Sequence, residues 1–324
     1  MEDGKTGFGK KIAALANLIR LPNLIIIVLT QVLLRYCILE PFVYSNDTEV
    51  MSALSDFILL CLSTVLITSG GYVINDYFDI KIDEVNKPAH MVVGTYIRRR
   101  TAIKWHILLS SLGSLLGFYL AWKIRLISFG LIFPVISFLL FWYSVKYKRK
   151  LVWGNLIVAV LSAMVVIIVF LYEFFWIRLH PEFFTDMLPD LFWVSRIFTA
   201  YATFAFLVTF FREVIKDMED VKGDSAVGCK TLPIICGMQA ARYLVSSLIF
   251  LTILLLGFGL IVLYRLGLMV PFWYLLITTQ MPMIYLIYRV FSSNTPQEYH
   301  IMSNICKLVM VAGVLSMEII AISI

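Results

Sequence analysis

The chain is predicted to be an all-α integral membrane bundle of about nine transmembrane helices, and three observations lead there. First, of its 324 residues 60% are hydrophobic and only 15% charged, with a mean hydropathy of +0.89, against roughly 45–50% apolar content in soluble domains. Second, apolar runs near 21–42, 52–75, 101–122, 126–145, 152–174, 191–215, 241–264, 269–290 and 302–323 are each long enough to cross about 30 Å of hydrocarbon. Third, nine spans put 21 of the 27 Lys and Arg on the side of the N-terminus and 6 on the other. By the positive-inside rule the first side is cytoplasmic. The net charge of +6 is then topology, with anionic lipid and substrate as its partners and no nucleic acid.

The elements follow in order. The stretch up to Lys11 is short, polar and basic and runs into a full-length span, so no removable signal peptide is expected. The first span is entered at Arg20 and Asn23. Their plain roles are an interfacial anchor and a helix cap; the other reading is that both reach a cytoplasmic chamber. The second span carries Gly70-Gly71, read as close helix packing. Only Trp122-Lys123-Ile124-Arg125 separates the third and fourth spans, a tight turn. Pro134, Pro271 and Pro282 fall in or near spans, where neighbouring helices re-satisfy the backbone. The five cysteines have no C-x-x-C spacing, no disulfide is expected between Cys229 and Cys236, and His90, His106, His180 and His300 lack ligand spacing. The chain reads as one domain, 1–324, its spacing that of two parallel four-helix repeats with a ninth span added.

Two acidic clusters carry the chemistry. Asn75-Asp76-x-x-Asp79-x-x-x-Asp83 follows the second span and Asp217-x-x-Asp220-x-x-x-Asp224 follows the sixth. With Glu84, Glu213 and Glu219 they hold nine of the 21 acidic residues. In a helix, steps of three then four residues keep the three carboxylates within roughly 60° of one face. Such a patch repels itself without a cation, and carboxylates beside a membrane mark functional sites. Two patches suggest Mg²⁺ holding a polyphosphate, since that ion is bound by few carboxylates plus substrate phosphates. A solvated helix end laced with ion pairs is the plain alternative for each cluster, but exposed pairs of that kind are worth little and do not explain the same ladder twice. Between the clusters, Tyr143-Ser144-Val145-Lys146-Tyr147-Lys148-Arg149 closes the fourth span. It is either an ordinary positive-inside turn, the preferred reading for Lys150, or a set of phosphate-binding groups in Tyr143, Lys148 and Arg149.

Taken together, N-D-Y-F-D-x-x-x-D, Y-x-x-x-x-K-R and R-E-x-x-K-D-x-E-D-x-x-G-D resemble the signatures of the UbiA superfamily of intramembrane prenyltransferases. The wording is most similar to the geranylgeranylglycerol-phosphate geranylgeranyltransferase branch, and Gly228-Cys229-Lys230-Thr231-Leu232-Pro233 fits that branch too. One stretch departs: where those members continue with an Arg-Pro-rich segment ending in Ser-Gly, this chain has Asn86-Lys87-Pro88-Ala89-His90-Met91-Val92-Val93-Gly94.

The resemblance implies transfer of a prenyl group from an allylic diphosphate to a lipophilic acceptor, with Mg²⁺ as cofactor, at the cytoplasmic face of a multi-pass membrane protein. It implies metal ligands in Asn75, Asp76, Asp79, Asp83, Asp217, Asp220 and Asp224, with Asp76, Asp79, Asp217 and Lys148 the catalytic set. Substrate would meet Asn23, Tyr72, Asn75, Tyr143, Lys148, Arg149, Arg212 and Lys216. Glu213 is the candidate general base. An isoprenyl-glycerol phosphate is the favoured acceptor; Lys81, Lys87 and Arg98-Arg99-Arg100 are candidate cations for its phosphate, with topology the plain and preferred reading of the arginine run. An aromatic quinone precursor or chlorophyll-type acceptor is the alternative. A cation transporter is the rival from another class, but transporter carboxylates lie near the bilayer midplane, whereas these lie at span ends beside basic residues. Prenyl chain length and oligomeric state are not legible.

Overall fold

The computed structural model describes residues 13–44, 51–86 and 91–324. Lys5, Lys10, Lys11 and Lys87, which contribute to the predicted orientation, and the departing residues Pro88, Ala89 and His90 lie outside that set. Among the described residues nine helices are long and apolar enough to cross a membrane. They are α1 (Leu21–Val43), α2 (Leu54–Asn86), α3 (Arg99–Lys123), α4 (Ile127–Val145), α5 (Trp153–Ile177), α6 (Pro181–Glu219), α7 (Gly237–Arg265), α8 (Met269–Ser292) and α9 (Pro296–Ser323). All nine predicted spans are therefore present, and the class is all-α.

Two helices overrun their apolar runs. The second run stops at residue 75 because the acids begin there, yet α2 continues to Asn86 and carries the whole first ladder. The sixth run starts at 191, whereas α6 begins at Pro181. Proline is preorganised for a first helical turn, and Glu182 in that turn complements the positive end of the helix. At 39 residues α6 is roughly 58 Å long, about twice the hydrocarbon thickness. Asp217, the first acid of the second ladder, therefore lies on a rod that overshoots the apolar layer.

Two helices contain a π turn, Leu34–Leu39 in α1 and Leu276–Gln280 in α8. Each comes two residues before a proline, Pro41 and Pro282. A proline offers no N–H and crowds the preceding turn; widening to i→i−5 bonds, Glu40 N–H to the Arg35 carbonyl and Met281 N–H to the Leu276 carbonyl, absorbs it. The threonine hydroxyls of Thr278 and Thr279 take the carbonyls of Tyr274 and Leu275.

Backbone contacts divide the chain into two compact units. One holds residues up to 28, 53–148 and 226–228; the other holds 29–52, 149–225 and 229–324. In the first, α2 packs closely on α3 and α4. A Cβ at Gly70 would lie 2.8 Å from Ser110 Oγ and one at Gly71 2.8 Å from Leu140 Cδ1, so the paired glycines serve close helix approach. Beside the first ladder, Ala14, Leu18, Val73, Val92, Val93 and Ala102 form a small core of their own. It docks a short helix at 13–18 against α2 and α3.

In the second unit the core is built from α6, α7, α8 and α9, with Val208, Phe211, Val214, Ile215 and Met218 of α6 meeting Val245, Met283, Leu286 and Met302. Away from its ladder, Arg35 and Glu173, each with a side chain 2% exposed, form an ion pair at 2.9 Å. Ser52 and the Tyr44 hydroxyl also donate to Glu173. Burial and the neighbouring Glu173 carboxylate push the Tyr44 phenol well above its ordinary value. All five cysteines are free thiols.

Candidate functional site

The first ladder is continuous helix, so Asn75, Asp76, Asp79 and Asp83 lie on α2 as the 3,4 spacing requires. Asp79 is 4% exposed. A carboxylate so buried needs partners, and it has two. Asn75 Nδ2 donates to Asp79 Oδ2 at 2.7 Å, and Lys148 Nζ donates to the same oxygen while lying 3.5 Å from Asn75 Oδ1. The lysine reaches it from a 3₁₀ turn, Tyr147–Arg149, immediately after α4. Burial works against the lysine's charge, but Asp79 and Tyr143 outweigh it and hold the ammonium above its ordinary value. Asp83 lies further along the same helix, partly buried.

Asp76 is served from another direction. Arg20 NH2 meets Asp76 Oδ1 at 3.3 Å, and its guanidinium carbon lies 4.8 Å from the centre of the Tyr72 ring. Arg20 adopts a φ of +52°, a region that non-glycine residues rarely occupy. The reversal between the 13–18 helix and α1 happens at this residue and points its side chain back over α2. Burial opposes its charge, and Asp76 and Tyr72 more than compensate, so the guanidinium is held above its usual range. Asn23 Nδ2 donates to the Tyr72 hydroxyl at 3.3 Å. The pair read as anchor or chamber residues therefore both touch the ladder helix.

The second ladder differs from its expected geometry. α6 ends at Glu219, Asp220 is its C-cap with φ −93° and ψ 7°, and a new helix, Val221–Ala226, carries Asp224. Asp217, Asp220 and Asp224 therefore do not share one helical face. The reason is local, since aspartate favours helix ends where its side chain competes with the backbone. The Asp220 N–H still closes on the Lys216 carbonyl, and the Asp224 N–H on that of Asp220. Asp217 accepts from Asn155 Nδ2 at 2.8 Å, and Asp224 is 8% exposed. Arg212 and Lys216, expected to meet phosphate, both bond Glu213, each with a contact of 2.9 Å. A carboxylate engaged by two cations is suited to positioning them. His300 Nδ1 meets Glu219 Oε1 at 3.0 Å.

Within the first unit the fold thus brings together Asn75, Asp79 and Lys148, then Arg20, Asp76 and Tyr72, with Asn23 alongside. Within the second it gathers Asp217 with Asn155, and Arg212 with Glu213 and Lys216. Arg149 opens the 149–225 segment of the second unit, partly buried. Sequence reasoning missed Asn155. Its signal was an amide at the third residue of an apolar helix, Trp153-Gly154-Asn155, the place Asn23 holds in Leu21-Pro22-Asn23. Among the described residues no three His, Cys, Asp or Glu side chains converge as a ready-made metal cage. The donors fit Mg²⁺ nonetheless: they are hard carboxylate and amide oxygens, and that ion needs only a few such ligands because it completes its shell with water and substrate phosphate.

Comparison with known proteins gives a consistent result. The profile of the UbiA prenyltransferase family matches residues 46–308. The digeranylgeranylglyceryl phosphate synthase of Methanothermobacter thermautotrophicus is 34% identical over 194 residues, covering 59% of this chain and 60% of that protein. The synthase of the same name from Pyrococcus furiosus is 35% identical over 188 residues, 57% of this chain and 58% of its own. The chain spans about 60% of the length of these curated relatives. Among solved structures, one of a digeranylgeranylglyceryl phosphate synthase in membranes superposes with a TM-score of 0.63 at 23% identity, covering 97% of this chain and 100% of that one. A UbiA homolog from Archaeoglobus fulgidus bound to DMAPP and Mg²⁺ gives 0.56 at 15% identity, covering 94% and 99%. At these identities the structural likeness is one of fold.

Proposed function

The chain belongs to the UbiA prenyltransferase family, and on that premise we propose that it transfers a prenyl group from an allylic prenyl diphosphate to an isoprenyl-glycerol phosphate, a step of ether-lipid synthesis. The observation that carries the reading is Asp79: a buried carboxylate at the end of a membrane helix, held jointly by Asn75 and the lysine of the fourth-span motif. That is a charged, water-poor socket suited to a polyphosphate head, with apolar helices available for its tail. The acceptor class is supported by the synthases of that name that this chain resembles over 194 and 188 residues.

In this reading the C–O bond between the allylic carbon and the diphosphate breaks, the acceptor hydroxyl oxygen bonds to that carbon, and its proton is lost. Mg²⁺, when bound, supplies positive charge to the leaving diphosphate. Asn75, Asp76, Asp79 and Asp83 would hold it at the first ladder, and Asp217, Asp220 and Asp224 at the second. Lys148, Arg149, Arg212 and Lys216 stabilise charge as it gathers on the leaving oxygens; Glu213 sets the direction of the last two cations. Tyr72, Tyr143 and Asn23 orient the substrate head. The whole chain, 1–324, acts as one catalytic domain with its ladders toward the cytoplasm.

The test is the purified protein in nanodiscs with labelled prenyl diphosphates of several lengths, offered isoprenyl-glycerol phosphate or aromatic acceptors, with product masses measured. Prenylated glycerol phosphate is expected. Product from aromatic acceptors alone would remove the acceptor assignment and leave only family membership.

A further inference from the structure

The third helix carries a row of exposed side chains that the catalytic reading leaves unused. α3 buries Ala102, His106, Ser110, Gly113 and Gly117. That face is pressed on α2: a Cβ at Gly113 would lie 2.7 Å from Ile67 Cγ1, and Ser63 Oγ donates to the Gly113 carbonyl at 2.7 Å. At about 100° per residue the opposite face holds Arg100, Lys104, Ile107, Leu108, Ser111 and Leu115, all exposed. Ile107, Leu108 and Leu115 stand at 57%, 56% and 64%, and Leu112, at 43%, borders them. The row therefore faces away from the ladder helix and its aspartates.

This row is cationic at one end and aliphatic beyond it. Among the described residues Arg100 and Lys104 make no ion pair and no side-chain hydrogen bond. Like charges four residues apart weaken a helix, and positive side chains in a first turn oppose its dipole. α3 nevertheless opens at Arg99 with no acid in its first turn and no side-chain cap from Arg98. Arg99 turns toward α2, its guanidinium carbon 4.9 Å from the centre of the Tyr77 ring. At 25 residues α3 is roughly 37 Å long against about 30 Å of hydrocarbon, so its first turn stands at the headgroup level. From Lys104 to Leu115 the row descends roughly 16 Å, about the depth of one leaflet.

We propose that Arg100 and Lys104 seat the phosphate of an anionic membrane lipid, its chains laid along Ile107, Leu108, Leu112 and Leu115. The two halves of the row match the two halves of such a molecule. Arginine offers a planar fork to phosphate oxygens, and lysine a mobile point charge on a flexible stem. That stem lets Lys104 reach back to the headgroup level from one turn deeper. A zwitterionic lipid brings the same chains with a cation of its own, so the row selects net negative charge. A free anion in water would meet only two exposed cations, where such contacts are weak. The chains are what make this a lipid site.

The experiment uses full-length protein in phosphatidylcholine nanodiscs doped with phosphatidylglycerol, with the lipid retained by the protein counted by native mass spectrometry. The variants are R100Q, K104Q, R100Q/K104Q and two controls. One control, R100K/K104R, keeps the charge; the other, K146Q/K230Q, removes the same charge from exposed positions elsewhere. Each cation lost from the row should lower the selectivity for phosphatidylglycerol over phosphatidylcholine roughly fivefold, and both controls should keep the wild-type value. Unchanged selectivity in R100Q/K104Q, or an equal fall in either control, overturns the inference. So does displacement of the lipid by millimolar inorganic phosphate. The acceptor KM should hold in R100Q/K104Q; a rise there with lipid selectivity unchanged would assign these cations to the acceptor's phosphate instead. The lipid count needs no turnover, so a failure of prenyl transfer in the wild-type protein leaves it standing.

Discussion

Replacing Lys148 with methionine tests the site at its most connected point. The change keeps the aliphatic stem and removes the ammonium that Asp79 shares with Asn75. Stranding one partner of a fully buried pair costs about 3–5 kcal/mol. Here the lysine side chain is 30% exposed, against 5% for Asp79, and the Asn75 bond survives, so the loss should be nearer 1–2 kcal/mol. That is a fall of a few degrees in apparent Tm in detergent. Turnover should suffer more, by about 10²–10³, the usual effect of deleting one group that stabilises a developing oxyanion. The pH dependence has a definite sign. Asp79 raises the pKa of Lys148 above its ordinary 10.5, so its stabilising contribution is complete below that value and fades only at more alkaline pH. The Tm difference between wild type and Lys148→Met should therefore be flat from about pH 6 to 9. Wild-type turnover in the variant, or a Tm difference that titrates in that window, refutes the assignment.

Other outcomes follow from the same geometry. Chelator should abolish turnover and Mg²⁺ restore it, and Asp79→Ala combined with Asp217→Ala should be inactive while its far-UV spectrum is unchanged; full activity in that pair disposes of metal binding at the ladders. Asn155→Ala removes the amide that holds Asp217 and should raise the Mg²⁺ concentration for half-maximal activity several-fold, with a matching weakening of Mg²⁺-dependent thermal stabilisation; unchanged values for both make Asn155 merely structural. Glu173→Gln leaves Arg35 buried without its counter-charge and should cost about 3 kcal/mol, read from the unfolding midpoint in detergent at unchanged KM for both substrates; an unaltered midpoint contradicts the ion pair.

Much of this protein is written in local chemistry. Hydropathy alone determines nine membrane helices, because a backbone in hydrocarbon must satisfy itself within the segment and only a long apolar helix does so here. The ladder Asp76, Asp79 and Asp83 was legible for a related reason: helical periodicity converts spacing into a shared face, and α2 obeys it. The same rule failed at Asp220, where the chain leaves one helix for another, since spacing says nothing about where a helix stops when a residue favours both a last turn and a cap. Tertiary structure alone decided which partners the acids meet. Arg20 lies 56 residues from Asp76, Lys148 69 from Asp79 and Asn155 62 from Asp217. Such pairs depend on how helices pack and on single backbone angles such as the +52° φ of Arg20. Those are set by the fit of side chains across the whole unit, for which no stretch of sequence carries a local signal.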